Sequence, residues 1–116
     1  MAKIEVDVTI KNREVNECLR TQAIVQENSI KYLEKDDTKV VFDYNKNKLI
    51  RENTTMKMTY YFDNNTESDI LVKDYNRHLK FMIKTNKLKK KDYNLEVDYQ
   101  IDNDKFLYRI EEIKWV

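Results

Sequence analysis

The chain has 116 residues and a mass of 14.2 kDa, enough for one compact domain over 1–116. Its 22 Lys and Arg stand against 21 Asp and Glu, a net charge of +1 that directs it to neither nucleic acid nor an anionic membrane. Glycine and proline are both absent, where average usage gives about eight and about six. That excludes the phosphate-cradling P-loop, the dinucleotide-binding glycine turn and the nucleophile elbow, all of which need a residue without Cβ at a fixed place. One histidine (His78) and one cysteine (Cys18) leave no disulfide, no zinc cluster and little room for His-centred catalysis.

Mean hydropathy is −0.85, yet Ile, Leu, Val and Phe make up 31 of the 116 residues, above the level at which chains stay disordered. These residues alternate with polar ones. In chain order, Ile4, Val6, Val8 and Ile10 form the first period-two run. Weaker runs follow at 15–26, 29–34, 38–44 and 48–53. Met56, Met58, Tyr60 and Phe62 form a second clear run, and 68–74 is a weaker one. Leu79, Phe81 and Ile83 make a third clear run, and Leu95, Val97, Tyr99 and Ile101 a fourth, before a last segment at 105–116. Polar clusters such as Asn45-Lys46-Asn47 and Asp63-Asn64-Asn65 separate them, and no helical period is sustained.

Strands at this spacing with short turns predict an all-β fold: a single antiparallel up-and-down barrel of about 8–10 strands. With no glycine, the twelve asparagines are expected to take the left-handed turn positions. The last segment changes phase: Phe106, Tyr108 and Ile110 share one parity, Ile113 and Trp115 the other. Both sets reach the core only through a β-bulge near Glu111-Glu112.

From Leu49 onward the order Leu49-Ile50-Arg51-Glu52-Asn53, then Met56-x-Met58-x-Tyr60-x-Phe62, then Leu95-x-Val97-x-Tyr99 resembles the YwiB-like family of small uncharacterised bacterial proteins. The likeness covers most of the chain and is weak over 1–30. It implies a calycin (lipocalin-like) barrel and no established activity. Where the family has Ser-Gly or similar after the arginine, this chain has Glu52-Asn53, so Asn53 is expected to supply the left-handed residue. The Gly-x-Trp of secreted lipocalins and the Arg-x-Tyr pair of fatty-acid-binding barrels are both missing, so no ligand contact carries over.

Arg51 shares parity with Leu49 and so points inward if Leu49 does. It reads either as an anion-binding group in a barrel mouth or as an exposed or structurally paired arginine; Glu52, its neighbour, faces the other way. Tyr60, Tyr99 and Tyr108 share the core parity on three strands and join Arg51 as candidate ligand-binding residues, with simple packing as the alternative. Five lysines between Lys84 and Lys91 read as a solvated loop rather than a nucleic-acid grip. His78 reads as exposed, with no orienting partner in view, and Glu111-Glu112 and Asp36-Asp37 as bulge or turn residues. No catalytic residue, metal ligand or cofactor is nominated.

Ile24, Leu33, Val41, Ile50, Leu71, Met82 and Leu107 fall on the outward parity; gathered together they would form a partner surface, and a homodimer or protein partner is the expectation. The reading is a soluble, cytoplasmic, non-catalytic binding or protein-interaction barrel. A carrier or sensor of a small, anionic ligand and an enzyme with an unrecognised site are the alternatives.

Overall fold

The computed structural model describes residues 2–116. Ten strands run in chain order: β1 (Ala2–Lys11), β2 (Asn16–Gln26), β3 (Ser29–Leu33), β4 (Lys39–Asp43), β5 (Lys48–Glu52), β6 (Met56–Tyr61), β7 (Asn65–Val72), β8 (Arg77–Lys91), β9 (Asn94–Ile101) and β10 (Asp104–Trp115). Each pairs antiparallel with the next, and β1 pairs with β10, so the sheet closes as an up-and-down barrel. Among the described residues the one helical element is a 3-10 turn at Lys73–Tyr75, and no helix is long and apolar enough to cross a membrane.

Alternation places one side of every strand inside. Ile4, Val6, Val8, Val40, Phe42, Leu49, Ile83, Leu95, Val97 and Ile110 are all buried there. Each such side chain contributes about 1.5–3 kcal/mol through the area it removes from water. Leu79 has the expected inward parity yet is 46% exposed, because it lies two residues from the start of β8, at the barrel end.

The bulge at the phase change is present. Val6 pairs with Glu112 and Glu5 with Lys114, which leaves Ile113 as the extra residue. It does not return the following side chains to the core. Ile113 is 41% and Trp115 56% exposed, since β10 has by then reached the barrel rim. A second bulge was not foreseen: Thr85 pairs with Tyr99 and Lys87 with Asp98, leaving Asn86 unpaired. Beyond it β8 continues through the lysine run, so Lys84–Lys91 is strand and not loop; pairing with β9 from Leu88 to Lys91 holds it extended.

Turn chemistry also departs from expectation. Glu27, Asp37, Asn47, Asn76, Asp92 and Asp102 have positive φ, so only two of these six are asparagine. Asn53 is not among them. Its Oδ1 instead accepts from the N–H groups of Thr55 and Met56, both at 2.9 Å, closing the β5–β6 turn with a side chain. Asn12 does the same for Glu14 and Val15.

Because strands alternate in direction, the β1–β2, β3–β4, β5–β6, β7–β8 and β9–β10 turns share one barrel end, and the remaining turns and both strand termini share the other. The second end is tied shut. Tyr44 Oη donates to the Tyr93 carbonyl, Tyr93 Oη to that of Glu27, and Lys90 Nζ to that of Tyr44. The Phe42, Tyr44, Tyr93 and Trp115 rings run edge to face across it.

Candidate functional site

The first barrel end is where polar side chains enter the interior. Ile30, Tyr32 and Glu34 lie on alternate positions of β3 and the residue after it, and the first two are buried. Two strands away, Arg51 opposes Val40 and Met58 on the inner face. Its Nε and Nη2 both donate to Glu34 Oε1, at 2.9 and 2.7 Å. The side chains of Arg51 and Glu34 are 28% and 15% exposed, so the pair is partly shielded from water. Burial works against the Arg51 charge, but the hydrogen bonds and charge of Glu34 outweigh it and hold the guanidinium above its ordinary pKa. The phenol of Tyr60 adds a smaller contribution, and Tyr99 lies near enough to feel the Arg51 charge.

Below the ion pair, Tyr32 and Tyr108 join hydroxyl to hydroxyl at 2.5 Å, both rings buried. Burial pushes both phenols up from their ordinary pKa, so they are neutral donors and acceptors. Tyr99 is raised for the same reason. It stacks on Phe106 with centroids 5.1 Å apart and packs on Phe62 and Tyr60. Thr85, opposite Tyr99 across the sheet, has a buried Oγ1 with no hydrogen-bond partner.

All four predicted site residues therefore face inward. Arg51, Tyr60 and Tyr99 meet near the open end, and Tyr108 lies one layer deeper. Glu34 and Tyr32 escaped the sequence reading, although they share the even parity of Ile30 and so belong to its face.

The wall beside the ion pair is incomplete. β2 pairs with β1 along its whole length but with β3 only from Ile24 to Gln26. The pairing stops at Ala23, and because β3 ends at Leu33, β2 from Thr21 back to Asn16 runs on without it. A side-opening cleft of about 520 Å3 fills the wedge, with Val8, Ile10 and Leu19 as its apolar lining and Glu34 and Arg51 at its polar end. A larger cleft, about 890 Å3, opens on the opposite flank between the β1–β2 and β9–β10 turns. Two of its amides are already engaged: Asn86 Nδ2 donates to Gln100 Oε1, and Gln100 Nε2 to the Asp102 carbonyl. The smaller cleft is the one that reaches the ion pair.

Elsewhere, His78 does have an orienting partner, contrary to expectation: its Nδ1 lies 2.8 Å from Asp69 Oδ2 on the neighbouring strand. The pair sits on the outer wall, with the His78 side chain 53% exposed. Chain spacing hid it, because nine residues and a turn separate the partners. Asp36 and Asp37 lie in the β3–β4 turn, and Glu112 caps the Tyr93 N–H beside the bulge. Among the outward apolar residues, Val41 and Ile50 are direct cross-strand neighbours, with Leu33 on the adjoining strand, whereas Leu71, Met82 and Leu107 lie on β7, β8 and β10. No group of three or more metal-ligating side chains occurs among the described residues.

No protein-family model matches this sequence, and no curated protein does. Its fold matches the crystal structure of the ywiB protein from Bacillus subtilis with a TM-score of 0.61 at 15% identity, over 97% of this chain and 91% of that one. The chain thus has a fold like that of the ywiB protein.

Proposed function

We propose that this protein is a non-catalytic binding barrel whose open end takes a small amphiphilic molecule. The body of the ligand lies on Val8, Ile10 and Leu19, and its polar group meets Arg51 and Glu34, with Tyr60 and Tyr99 behind them and Tyr108 supporting the floor through Tyr32. The parting of β2 from β3 beside a half-shielded ion pair carries this reading. A closed barrel gains nothing in stability from a breach there, and concave sites with an apolar lining and few polar groups are the usual form of small-molecule sites. The meander order supports a calycin-type barrel, and the even charge and lone Cys18 support a soluble, cytoplasmic setting.

Since Glu34 occupies Arg51, an anionic ligand must displace it. The sign of that competition gives the test. Titration with 1-anilinonaphthalene-8-sulfonate is expected to saturate in the wild type, to weaken about tenfold or more in Arg51→Met, and to strengthen in Glu34→Gln, which frees the guanidinium. Near-UV circular dichroism monitors folding of each variant. Equal affinity in all three proteins, or no saturable binding, overturns the reading. The outer Leu33, Val41 and Ile50 patch favours a second reading, a homodimer through that wall, for which sedimentation of Val41→Glu is the check.

A further inference from the structure

The main chain of β2 points to a second kind of partner. Gln26 and Ser29 flank the two-residue Glu27-Asn28 turn and form a hydrogen-bonded pair, and such pairs recur at every second residue of an antiparallel ladder. Ile24 with Lys31 is the next. By the same alternation the N–H and C=O groups of Gln22, Arg20 and Cys18 point away from β1 into the wedge, where β3 no longer reaches them. Leu19 and Thr21 spend theirs on β1. Among the described residues the one side-chain hydrogen bond to these main-chain groups is from Thr21 Oγ1 to the Gln22 carbonyl, long at 3.5 Å.

The barrel also parts between β6 and β7, and there the chain seals the gap. Tyr61 N–H donates to Ser68 Oγ at 3.0 Å and the Tyr61 carbonyl accepts from Thr66 Oγ1. Among the described residues no hydroxyl reaches across the β2 wedge from its far side; the Thr21 hydroxyl belongs to β2 itself. An open strand edge is an aggregation liability that proteins otherwise cover or blunt.

We propose that the β2 edge from Cys18 to Gln22 receives an extended, basic segment of a partner polypeptide, which adds antiparallel to β2 as an extra strand beyond the end of β3. Only another main chain offers donors and acceptors at the repeat that these residues present, about 6.8 Å for every second residue. Alternate side chains of the added strand enter the cleft over Leu19. The charged lining there is Glu17, Glu34 and Asp36 against Lys35 and Arg51, with Arg51 already held by Glu34, so the surplus is acidic. A second copy of β2 fits less well: pairing centred on the three free residues sets Arg20 opposite Arg20. The inference shares the cleft over Leu19 and the Arg51–Glu34 pair with the small-ligand reading but rests on the main-chain groups of β2. Alternate methylation of the peptide separates the two, because a small ligand has no strand phase.

A short fluorescein-labelled peptide of alternating lysine and valine, followed by anisotropy, tests it. The basic peptide is expected to bind saturably, and one of alternating glutamate and valine at least about tenfold more weakly. Methylating the peptide nitrogens at alternate residues is expected to abolish binding in one phase and preserve it in the other, since only one edge of the added strand faces β2. Cys18→Pro removes a donor that points into the wedge and is expected to weaken the peptide; the methylated peptides keep the test independent of how that variant folds. No saturable binding, or equal loss in both methylation phases, overturns the proposal. A dimer in sedimentation equilibrium that Cys18→Pro dissociates assigns the edge to a second copy instead, and overturns it as well.

Discussion

Thr85 brings a hydroxyl to the inner face that finds nothing to bond. A buried polar group without a partner costs about 1–3 kcal/mol, and valine has nearly the same shape. Thr85→Val is therefore expected to stabilise the protein by about 1 kcal/mol, read as a higher urea midpoint with an unchanged slope. Arg51 is the opposite case, an inward polar group with its partner in place. Parity alone told that Arg51 faces inward once Leu49 is buried, and that Glu52 is not its counter-ion. Glu34 was harder to foresee: it precedes Arg51 by seventeen residues, and the two meet only when the registers of β3 with β4 and β4 with β5 are both known. The same limit hid Asp69 from His78.

At the scale of strands and turns, a meander is the topology most open to reading, because each strand pairs with its neighbour in sequence. The weaker run at 48–53 became β5 at Lys48–Glu52, and that at 15–26 became β2 at Asn16–Gln26. β8 was misread because lysines on both parities erase the period-two signal, while main-chain pairing with β9 continues regardless of the side chains. Turn residues were only half legible. The absence of glycine correctly implied that other residues enter the left-handed region, but aspartate and even glutamate do so alongside asparagine. Glu27, at φ 48°, has no short polar side chain to offset the Cβ clash, which costs about 1–2 kcal/mol. Glu27→Gly is expected to raise stability by about 0.5–1 kcal/mol after the entropy of the freer unfolded chain is subtracted, measured as an increase in thermal midpoint.

For the whole molecule, ionisable groups set two edges to the stable pH range. Hydrogen bonds from Arg20, Thr38, Lys73 and Lys87 hold Asp7, Asp36, Glu52 and Glu96 below their ordinary values of 3.8 for aspartate and 4.5 for glutamate. A depressed carboxylate stabilises the fold above the unfolded pKa and ceases to as pH falls through the folded one. Stability is expected to decline progressively below about pH 4.5. Burial raises Tyr32, Tyr44, Tyr99 and Tyr108 above their ordinary 10.0. Their contribution is intact below that value and is lost as pH climbs from it towards the folded pKa, where only the unfolded chain ionises. Ultraviolet titration of the eight tyrosines is expected to show these four ionising only as the protein unfolds; a single smooth transition near the ordinary value with the fold retained would contradict it.

The aromatic series that ends on Trp115 gives the molecule a built-in optical reporter. The chain has one tryptophan, half exposed and edge-on to Tyr93 at 5.9 Å, at the tied end of the barrel. Its emission follows the seam between the first and last strands and is blind to Arg51 on the far side. A tryptophan emission maximum that keeps its wavelength while an added probe lights up, even as energy transfer to the probe dims it, separates occupancy of the mouth from loosening of the barrel, in one cuvette and with no label on the protein.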